Sequence, residues 1–241
     1  MIIAVASNGQ GASIFSYDLA QQCAQNRRTL LIDFETLHPD ITAFLDEERS
    51  SDFGIDAVFK RHEEITPRIV DICTFTTTQG FLFLPGTRQP HRLDVPHYKI
   101  RDLLQAADKF ADVVIVDCPD RFDVATGLHT FAQAHRILRI RHHAQTWKAK
   151  LREEQFYGEL LDRFGLNDKI EEVWIGKTDR DRADWTLPEV AEIDFETIPK
   201  EYSAAVRRIA ADILGVEEEQ GEGWLARWRS RLTGKVPRIG Q

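Results

Sequence analysis

The first 25 residues of the chain place an apolar run, a glycine-containing turn and a helix-forming stretch directly one after another. The run is Ile2–Ala6, the turn is SNGQGAS at 7–13, and the helical stretch is Ser13–Gln25. A strand, a tight turn and a helix form a βα unit, and a glycine-containing turn between them is typical of phosphate-binding loops. The opening of the chain therefore predicts an α/β fold whose first loop is a candidate anion site.

Further apolar runs alternate with helical stretches along the rest of the chain. We predict strands at Thr29–Asp33, Gly80–Pro85, Val113–Asp117, His135–Arg141 and Glu172–Gly176, and helices at Asp56–Lys60, Tyr98–Lys109, Trp147–Phe164 and Ser203–Leu214. This alternation predicts a predominantly parallel twisted sheet with helices on both faces. In such sheets ligands bind at the carboxyl ends of the strands, which is where Ser7–Ser13, Asp33 and Asp117 fall.

The composition is that of an ordinary folded domain. The chain has 241 residues, of which 42% are apolar and 29% charged, and its net charge of -8 argues against wholesale non-specific binding of nucleic acid. No apolar run approaches the roughly 20 residues of a membrane span, and the opening run lacks the basic flank of a signal peptide. We therefore expect a cytoplasmic protein. Cys23, Cys73 and Cys118 show no metal-ligand spacing and are expected to be buried free thiols.

Four segments, taken in order, resemble the MinD/ParA family of P-loop ATPases, which includes ATPase-like proteins that position pili and flagella. They are GQGASIFSYDLA at 9–20, LLIDFE at 30–35, VVIVDCP at 113–119 and FETIP at 195–199. The family carries a KGGVGKT-type loop followed by "NLA", then "LLID.D", "hhhhD.P" and a late "IP" segment. The resemblance runs over about residues 1–215. It implies a P-loop fold, a homodimer, and binding of ATP or ADP with Mg²⁺.

The candidate loop departs from the family pattern at both of its lysines, which makes it a degenerate Walker A loop. Aligned without gaps, Ser7 stands at the first lysine and Ala12 at the second. The resemblance implies that the second lysine reaches the β- and γ-phosphates and that the first crosses a dimer interface. Losing these charges predicts very weak or absent hydrolysis, because phosphoryl transfer depends on positioning and electrostatics. The candidate nucleotide-binding residues that remain are Gly9, Gln10, Gly11, Ala12, Ser13, Ile14 and Asp33.

The resemblance also supplies candidates for metal binding and water activation. Ser13 and Asp117 stand at the family's Mg²⁺ positions, and Glu35 stands at its water-activating aspartate, one methylene longer. Phosphate in such loops is held mainly by backbone N–H groups, so binding can persist without lysine. Two interpretations stay open. The site binds a nucleotide weakly and does not hydrolyse it, or it no longer binds a nucleotide, in which case the glycines form a tight turn and Asp33 and Asp117 cap the ends of their strands.

Two arginines interrupt the predicted strand that ends at Arg141. The period of two puts Arg139 and Arg141 on one face, which is unusual in an interior parallel strand. We expect them to pair with acidic neighbours; alternatively they restore the charge that the loop lost, which would make the protein a functional ATPase. The basic run continues through His142, His143, Lys148, Lys150 and Arg152. It predicts a solvated helix face or, in a nucleoid-binding partition protein, a DNA-binding surface.

The chain closes with an acidic linker at 216–222 and a basic tail at 223–241. On a helical wheel an arc of about 100° contains the apolar residues of the tail, and arginines flank it: Trp224, Leu225, Trp228 and Leu232, with Arg227, Arg229 and Arg231. This composition is typical of a helix that lies on an anionic membrane, and MinD-type proteins end in a comparable helix. Packing of the tail on its own domain and docking on a partner protein are the alternatives.

Together these features predict a bacterial positioning or scaffold protein with a degenerate nucleotide site. We expect it to dimerise, to be peripheral on the inner membrane face, and to recruit a partner assembly of pilus, secretion or flagellar type. The kind of assembly follows from the resemblance alone.

Overall fold

A computed structural model of the chain describes residues 1–7, 11–35, 38–45, 53–61, 64–88, 97–119, 125–142, 151, 162–176, 183–190 and 193–216. The strands in these ranges are β1 (Ile2–Ser7), β2 (Thr29–Asp33), β3 (Phe75–Thr76), β4 (Leu82–Leu84), β5 (Val113–Asp117), β6 (Arg136–His142), β7 (Ile170–Ile175) and β8 (Trp185–Leu187). The helices are α1 (Ala12–Ala24), α2 (Asp40–Leu45), α3 (Gly54–Lys60), α4 (Pro67–Cys73), α5 (His97–Phe110), α6 (Ala125–Gln133) and α7 (Lys200–Leu214). None of the helices in these ranges is long and apolar enough to cross a membrane.

The strands form one sheet in the order β3-β4-β2-β5-β1-β6-β7-β8. All neighbouring strands are parallel except β3 and β4, which confirms the predicted sheet. The chain leaves β1 towards β2 on one side and later returns to place β6 on the other side of β1. The loop after β1 therefore lies where the strand order reverses, which is the usual place for a ligand in an open α/β sheet.

Helices cover both faces of the sheet, so its central strands are apolar on both sides. In β1 the side chains of Ile3 and Val5 pack in the core beneath α1 and α7, while Ile2 and Ala4 pack in the core beneath α3 to α6. All six residues of β1 are buried. This double burial explains why the apolar runs in the sequence predicted the strands so directly.

Several elements were not predicted from the sequence. They are α2, α4, α6, β3 and β8, and the two strands among them have only two and three residues, too few to show a period. Most of the predicted helix Trp147–Phe164, namely residues 147–150 and 152–161, lies outside the described residues. The segment Phe195–Pro199 precedes a helix as predicted, and Pro199 is the N-cap of α7.

A buried polar seam joins α1 to α7. The Asp18 carboxylate accepts hydrogen bonds from Gln22 Nε2 and from Ser203 Oγ, both at 2.8 Å. Arg207 Nε donates to Gln22 Oε1 at 3.1 Å. Burial raises the pKa of Asp18, and the two hydrogen bonds and Arg207 act in the opposite direction. The seam holds α1, and with it the end of the candidate loop, against the last helix of the domain.

All three cysteines are free and buried, which confirms the prediction. Burial raises the pKa of the Cys23 thiol to about 12 and that of the Cys118 thiol well above its ordinary value. Neither thiol will ionise near neutral pH, and this makes both of them chemically inert.

Replacement of Gly54 by alanine is expected to destabilise the fold more than the same replacement of Gly80. Both glycines have positive φ, +86° and +91°, so each substitution carries a backbone cost of roughly 1–2 kcal/mol. At Gly54 a Cβ would lie 2.7 Å from the carbonyl oxygen of Pro85, whereas at Gly80 it would meet nothing within 4 Å. Urea unfolding measures both; equal losses of unfolding free energy would contradict the predicted clash.

Candidate functional site

The ends of three adjacent strands bring the predicted site residues to one edge of the sheet. In the parallel register Asp33 of β2 lies opposite Asp117 of β5, and Val5 of β1 lies opposite Asp117 on the other side. The backbone continues this contact, since Phe34 N donates to Asp117 O and Cys118 N donates to Val5 O, both at 2.9 Å. Asp33, Asp117 and the start of α1 therefore share one edge. Gly9 and Gln10 lie outside the described residues.

Helix α1 begins at this edge, and the backbone N–H groups of its first turn have no acceptor within the helix. Its N-cap is Gly11 in a left-handed conformation (φ 108°, ψ -13°), and the first intrahelical bond runs from Phe15 N to Gly11 O at 3.1 Å. The N–H groups of Ala12, Ser13 and Ile14 precede that bond, so they have no acceptor within the helix, and Gly11 has no side chain to cap them. Such groups, together with the helix dipole, are of the kind that bind anions in other proteins, and their role here stays a prediction.

The loop end packs tightly against two neighbouring strands. A Cβ added to Gly11 would lie 3.0 Å from Ile175 Cδ1 of β7 and 4.0 Å from Ile140 Cγ2 of β6. Both the positive φ and this close approach favour glycine at position 11. The glycine thus keeps backbone, and no side chain, at the mouth of the site.

Asp117 is held from α1 by a residue that was not predicted. Its side chain is almost fully buried, and Ser16 Oγ donates to Asp117 Oδ1 at 3.0 Å. Ser13 lies one turn earlier on α1 and is partly exposed. The hydroxyl of Ser13 and the carboxylate of Asp117 are oxygen donors of the kind Mg²⁺ prefers, so the donor set fits that metal.

Asp33 is tied into the domain on both of its carboxylate oxygens. Oδ1 accepts from Glu35 N at 3.1 Å, and Oδ2 accepts from Thr42 N at 2.9 Å and from Thr42 Oγ1 at 2.6 Å. Thr42 Oγ1 in turn accepts from Gly86 N at 2.7 Å. These bonds connect β2, α2 and the segment after β4. They favour a structural role for Asp33, and its contact with a nucleotide stays a prediction.

Burial dominates the protonation of Asp33. The side chain has no exposed surface, and this raises its pKa to about 7, although the hydrogen bonds from Thr42 and Glu35 lower it. The carboxylate of Glu35 adds a further increase. A carboxyl group with this pKa is partly protonated at neutral pH.

Glu35 lies two residues beyond the end of β2, at the same edge. Its Oε1 accepts a hydrogen bond from His38 N at 3.5 Å. After burial, the charges of Asp117 and Glu35 are among the causes that raise the pKa of the Cys118 thiol, so both carboxylates lie near that residue. The role of Glu35 in activating water stays a prediction.

The two arginines of β6 pair with an acidic neighbour, as expected. Arg139 Nη1 lies 3.2 Å and Arg141 Nη1 lies 3.0 Å from Glu172 Oε1 of β7. The Arg141 guanidinium also stacks over the Trp174 ring, 4.6 Å from its centre. Leu138 packs in the core beneath α1, so the alternating arginines lie on the opposite face of the sheet. This placement favours ion pairing over a contribution to the site at α1.

A cavity of about 520 Å³ lies between the ends of β7 and β8 and the first turns of α7. Its lining includes Gly176, which follows Ile175, the residue near Gly11. The side chains of Glu189, Glu201 and Arg208 contribute charged groups to the lining. Sequence reasoning did not predict it, because its walls come from segments that are distant along the chain.

The last described helix ends firmly on the sheet. Arg136 Nη2 of β6 lies 3.0 Å from Asp212 Oδ2 in the last turn of α7, and Gly215 closes the helix with φ 61°. The residues predicted to bind membrane lie beyond 216, outside the described residues, and their role stays a prediction.

The mostly parallel eight-stranded sheet, with helices on both of its faces, matches the fold of MinD/ParA-like P-loop NTPases. The chain has this fold, which confirms the predicted fold class.

Comparison with solved structures gives the particular proteins that share it. A ParA family ATPase from Chlorobium tepidum TLS superposes with a TM-score of 0.68 and 15% identity, covering 87% of this chain and 98% of that one. A putative plasmid partition protein from Borrelia burgdorferi B31 bound to AMPPNP superposes with a TM-score of 0.68 and 18% identity, covering 89% of this chain and 98% of that one. For the MinC:MinD cell division protein complex of Aquifex aeolicus the TM-score is 0.68 and the identity is 14%, with 90% of this chain and 96% of that one covered. No family model and no curated protein matches the sequence.

The contribution of Asp33 to the free energy of unfolding is expected to fall as the pH rises from about 4 to about 7. The folded-state pKa of about 7 exceeds the ordinary value of 3.8, so the folded state binds this proton more tightly and loses that advantage as the pH rises. Asp33→Asn cannot titrate. The free energy of unfolding of Asp33→Asn minus that of the wild type should therefore increase from about pH 4 to about pH 7. This holds even if the substitution also stabilises or destabilises the protein by an amount that does not depend on pH.

Urea unfolding at a series of pH values measures the difference. Glu196→Gln, at an exposed acidic residue away from the site, is the control and should track the wild type. A constant difference between Asp33→Asn and the wild type at every pH would show that the Asp33 pKa is not raised.

Proposed function

We propose that this chain is a MinD/ParA-like positioning or scaffold protein that holds ATP or ADP with Mg²⁺ at the start of α1. The observation that carries the proposal is the start of α1, where the N–H groups of Ala12, Ser13 and Ile14 have no intrahelical acceptor and the left-handed N-cap Gly11 has no side chain to cap them. The fold supports it, since proteins of this fold include ATPases. The Borrelia protein of the same fold binds AMPPNP.

In this proposal the phosphates are bound by backbone and the metal by side chains. The N–H groups of Ala12, Ser13 and Ile14 would donate to phosphate oxygens. The Ser13 hydroxyl and the Asp117 carboxylate would hold Mg²⁺, which when bound neutralises phosphate charge. Each of these groups belongs to a rigid element, α1 or β5, so the site needs little ordering before it binds.

We further propose that turnover is slow or absent. At the position of the phosphate-binding lysine stands Ala12, a buried residue whose side chain ends at Cβ. Removing one group that stabilises transition-state charge typically costs about 10²–10³ in rate. The same loss weakens binding less, because the backbone donors remain.

Binding is expected to depend on Gly11. Titration calorimetry should detect ATP·Mg²⁺ binding to the wild type, and Gly11→Ala should weaken it by roughly ten-fold or more, the equivalent of losing about 1.4 kcal/mol of donor contacts. The reason is that a Cβ at position 11 both strains the backbone and meets Ile175. Gly215→Ala is the control, because its φ is also positive (+61°) and a Cβ there meets nothing within 4 Å.

Two outcomes would overturn parts of this account. If the wild type gives no binding heat with ATP or ADP, the site is a retired one and the glycines serve only the turn. If the wild type hydrolyses ATP with multiple turnovers and Asp117→Ala abolishes them, the protein is a functional ATPase whose charge is restored by Arg139, Arg141 or a partner.

The proposed cellular role is the recruitment of another protein by a homodimer. The Aquifex structure of this fold is a complex of MinD with MinC, which supports partner binding as a way in which this fold acts. We infer the same kind of action here, with the partner belonging to a pilus, secretion or flagellar assembly. Size-exclusion chromatography with light scattering, with and without nucleotide, tests the dimer; a monomer under both conditions would contradict it.

We also propose that residues 223–241 attach the protein to the inner membrane face. The full-length chain should float with anionic vesicles, and a chain ending at residue 216 should not. Trp228→Glu should reduce flotation strongly, because it places charge in the apolar arc of the tail, where Trp224 and Leu232 also fall. Each arginine near the surface contributes about 1 kcal/mol.

Thr233→Glu is the matched control, since it adds the same charge on the opposite side of the helical wheel. Equal effects of Trp228→Glu and Thr233→Glu would mean that charge alone drives binding. Unchanged flotation of the shortened chain would show that the tail serves its own domain or a protein partner instead.

A further inference from the structure

A serine of α1 to which the family resemblance assigns no role contacts the carboxylate of the candidate metal site. Ser16 has no exposed surface, and its hydroxyl donates to Asp117 Oδ1 at 3.0 Å. A buried serine within a helix commonly bonds the carbonyl four residues back. Here the hydroxyl reaches across to the end of β5, a contact between residues 101 positions apart.

Ser13 and Ser16 are three residues apart on α1, so they lie on the same side of the helix. Ser13 is the nearer to the loop and is partly exposed, whereas Ser16 lies one turn deeper and is fully buried. The side of α1 that carries Ser13, the first candidate metal ligand, therefore also carries Ser16, which donates a hydrogen bond to Asp117, the second candidate ligand. A hydrogen bond of this kind stabilises the ionised carboxylate and fixes its orientation.

We infer that Ser16 is a positioning residue for Asp117, which it holds in the orientation needed for the Mg²⁺ that accompanies a nucleotide at the start of α1. This inference rests on the nucleotide binding proposed above. Ser16 acts through Asp117, because it is fully buried and its hydroxyl donates to that carboxylate. Removing it should weaken the metal without touching the phosphate donors.

The competing explanation is that Ser16 merely ties α1 to the sheet. The chain offers a matched control for that role in Ser203, which donates from α7 to the buried carboxylate of Asp18 on α1 at 2.8 Å. Ser203→Ala removes a serine–aspartate hydrogen bond of the same type, and this bond also anchors α1 to a neighbouring element. Asp18 lies further along α1 than Asp117's partner Ser16, on the side that faces α7.

The experiment measures the affinity of a fluorescent ATP analogue as Mg²⁺ is titrated from zero. Ser16→Ala should bind the analogue in EDTA as the wild type does, and its half-saturating Mg²⁺ concentration should rise roughly ten-fold, the loss expected for a hydrogen bond to a charged group. Ser16→Thr, which keeps the hydroxyl, should restore the wild-type value. Ser203→Ala should lose stability and keep the wild-type dependence on Mg²⁺.

If Ser16→Ala needs no more Mg²⁺ than the wild type while Asp117→Asn does, the inference about Ser16 is wrong and the nucleotide site stands. If the wild type binds no analogue with or without Mg²⁺, the proposed function and the inference both fail. Circular dichroism checks each variant for folding. Should the alanine variant not fold, Ser16→Cys takes its place, because a thiol is a weak donor of similar size.

Discussion

The position of β1 in the middle of the sheet is the constraint on which the rest of the structure depends. Its six residues are all buried, with a helical layer on each face and the parallel strands β5 and β6 on its two edges. A strand enclosed in this way is held by backbone hydrogen bonds on both edges and by packing on both faces, so a shift of register would disrupt all of these contacts. The sheet therefore fixes where β1 ends.

From that position α1 lies close to β5, β6, β7 and α7. Gly11 approaches Ile175 and Ile140, Ser16 reaches Asp117, and Asp18 holds α7. The described residues at this edge include the first N–H groups of α1, the Ser13 hydroxyl and the Asp117 carboxylate, and residue 12 is a buried alanine. Under the proposed function these groups would hold an anion and a cation together. The resemblance implies that the lysine charge that accelerates cleavage is missing.

The sequence predicted those parts of the structure that are local and periodic. Val113–Asp117 was predictable because five consecutive residues are buried, and Asp33 and Asp117 could be placed on one edge because parallel strands end together. The roles of Thr42 and Ser16 could not be predicted. Each depends on one side chain meeting a strand end that is distant along the chain, and a single hydroxyl leaves no periodic signal.

Other parts escaped prediction because their elements are short. The strand β8 has three residues and the helix α2 has six, so neither shows a pattern that distinguishes it from a loop. The cavity beside α7 escaped for a different reason, since its lining comes from segments that are distant along the chain and meet only in the folded protein. The pairing of Arg139 and Arg141 was predicted, but their partner Glu172 follows only from the register of β6 with β7.

The proposed function requires the backbone at the start of α1 to bind the phosphates of a nucleotide without a lysine. Amide NMR, or hydrogen exchange, of Ala12, Ser13 and Ile14 with and without ATP and Mg²⁺ tests this requirement. These three amides should shift or become protected when nucleotide is added, while amides at the far end of α1 should not. Unchanged signals from all three at saturating nucleotide would contradict the proposed function.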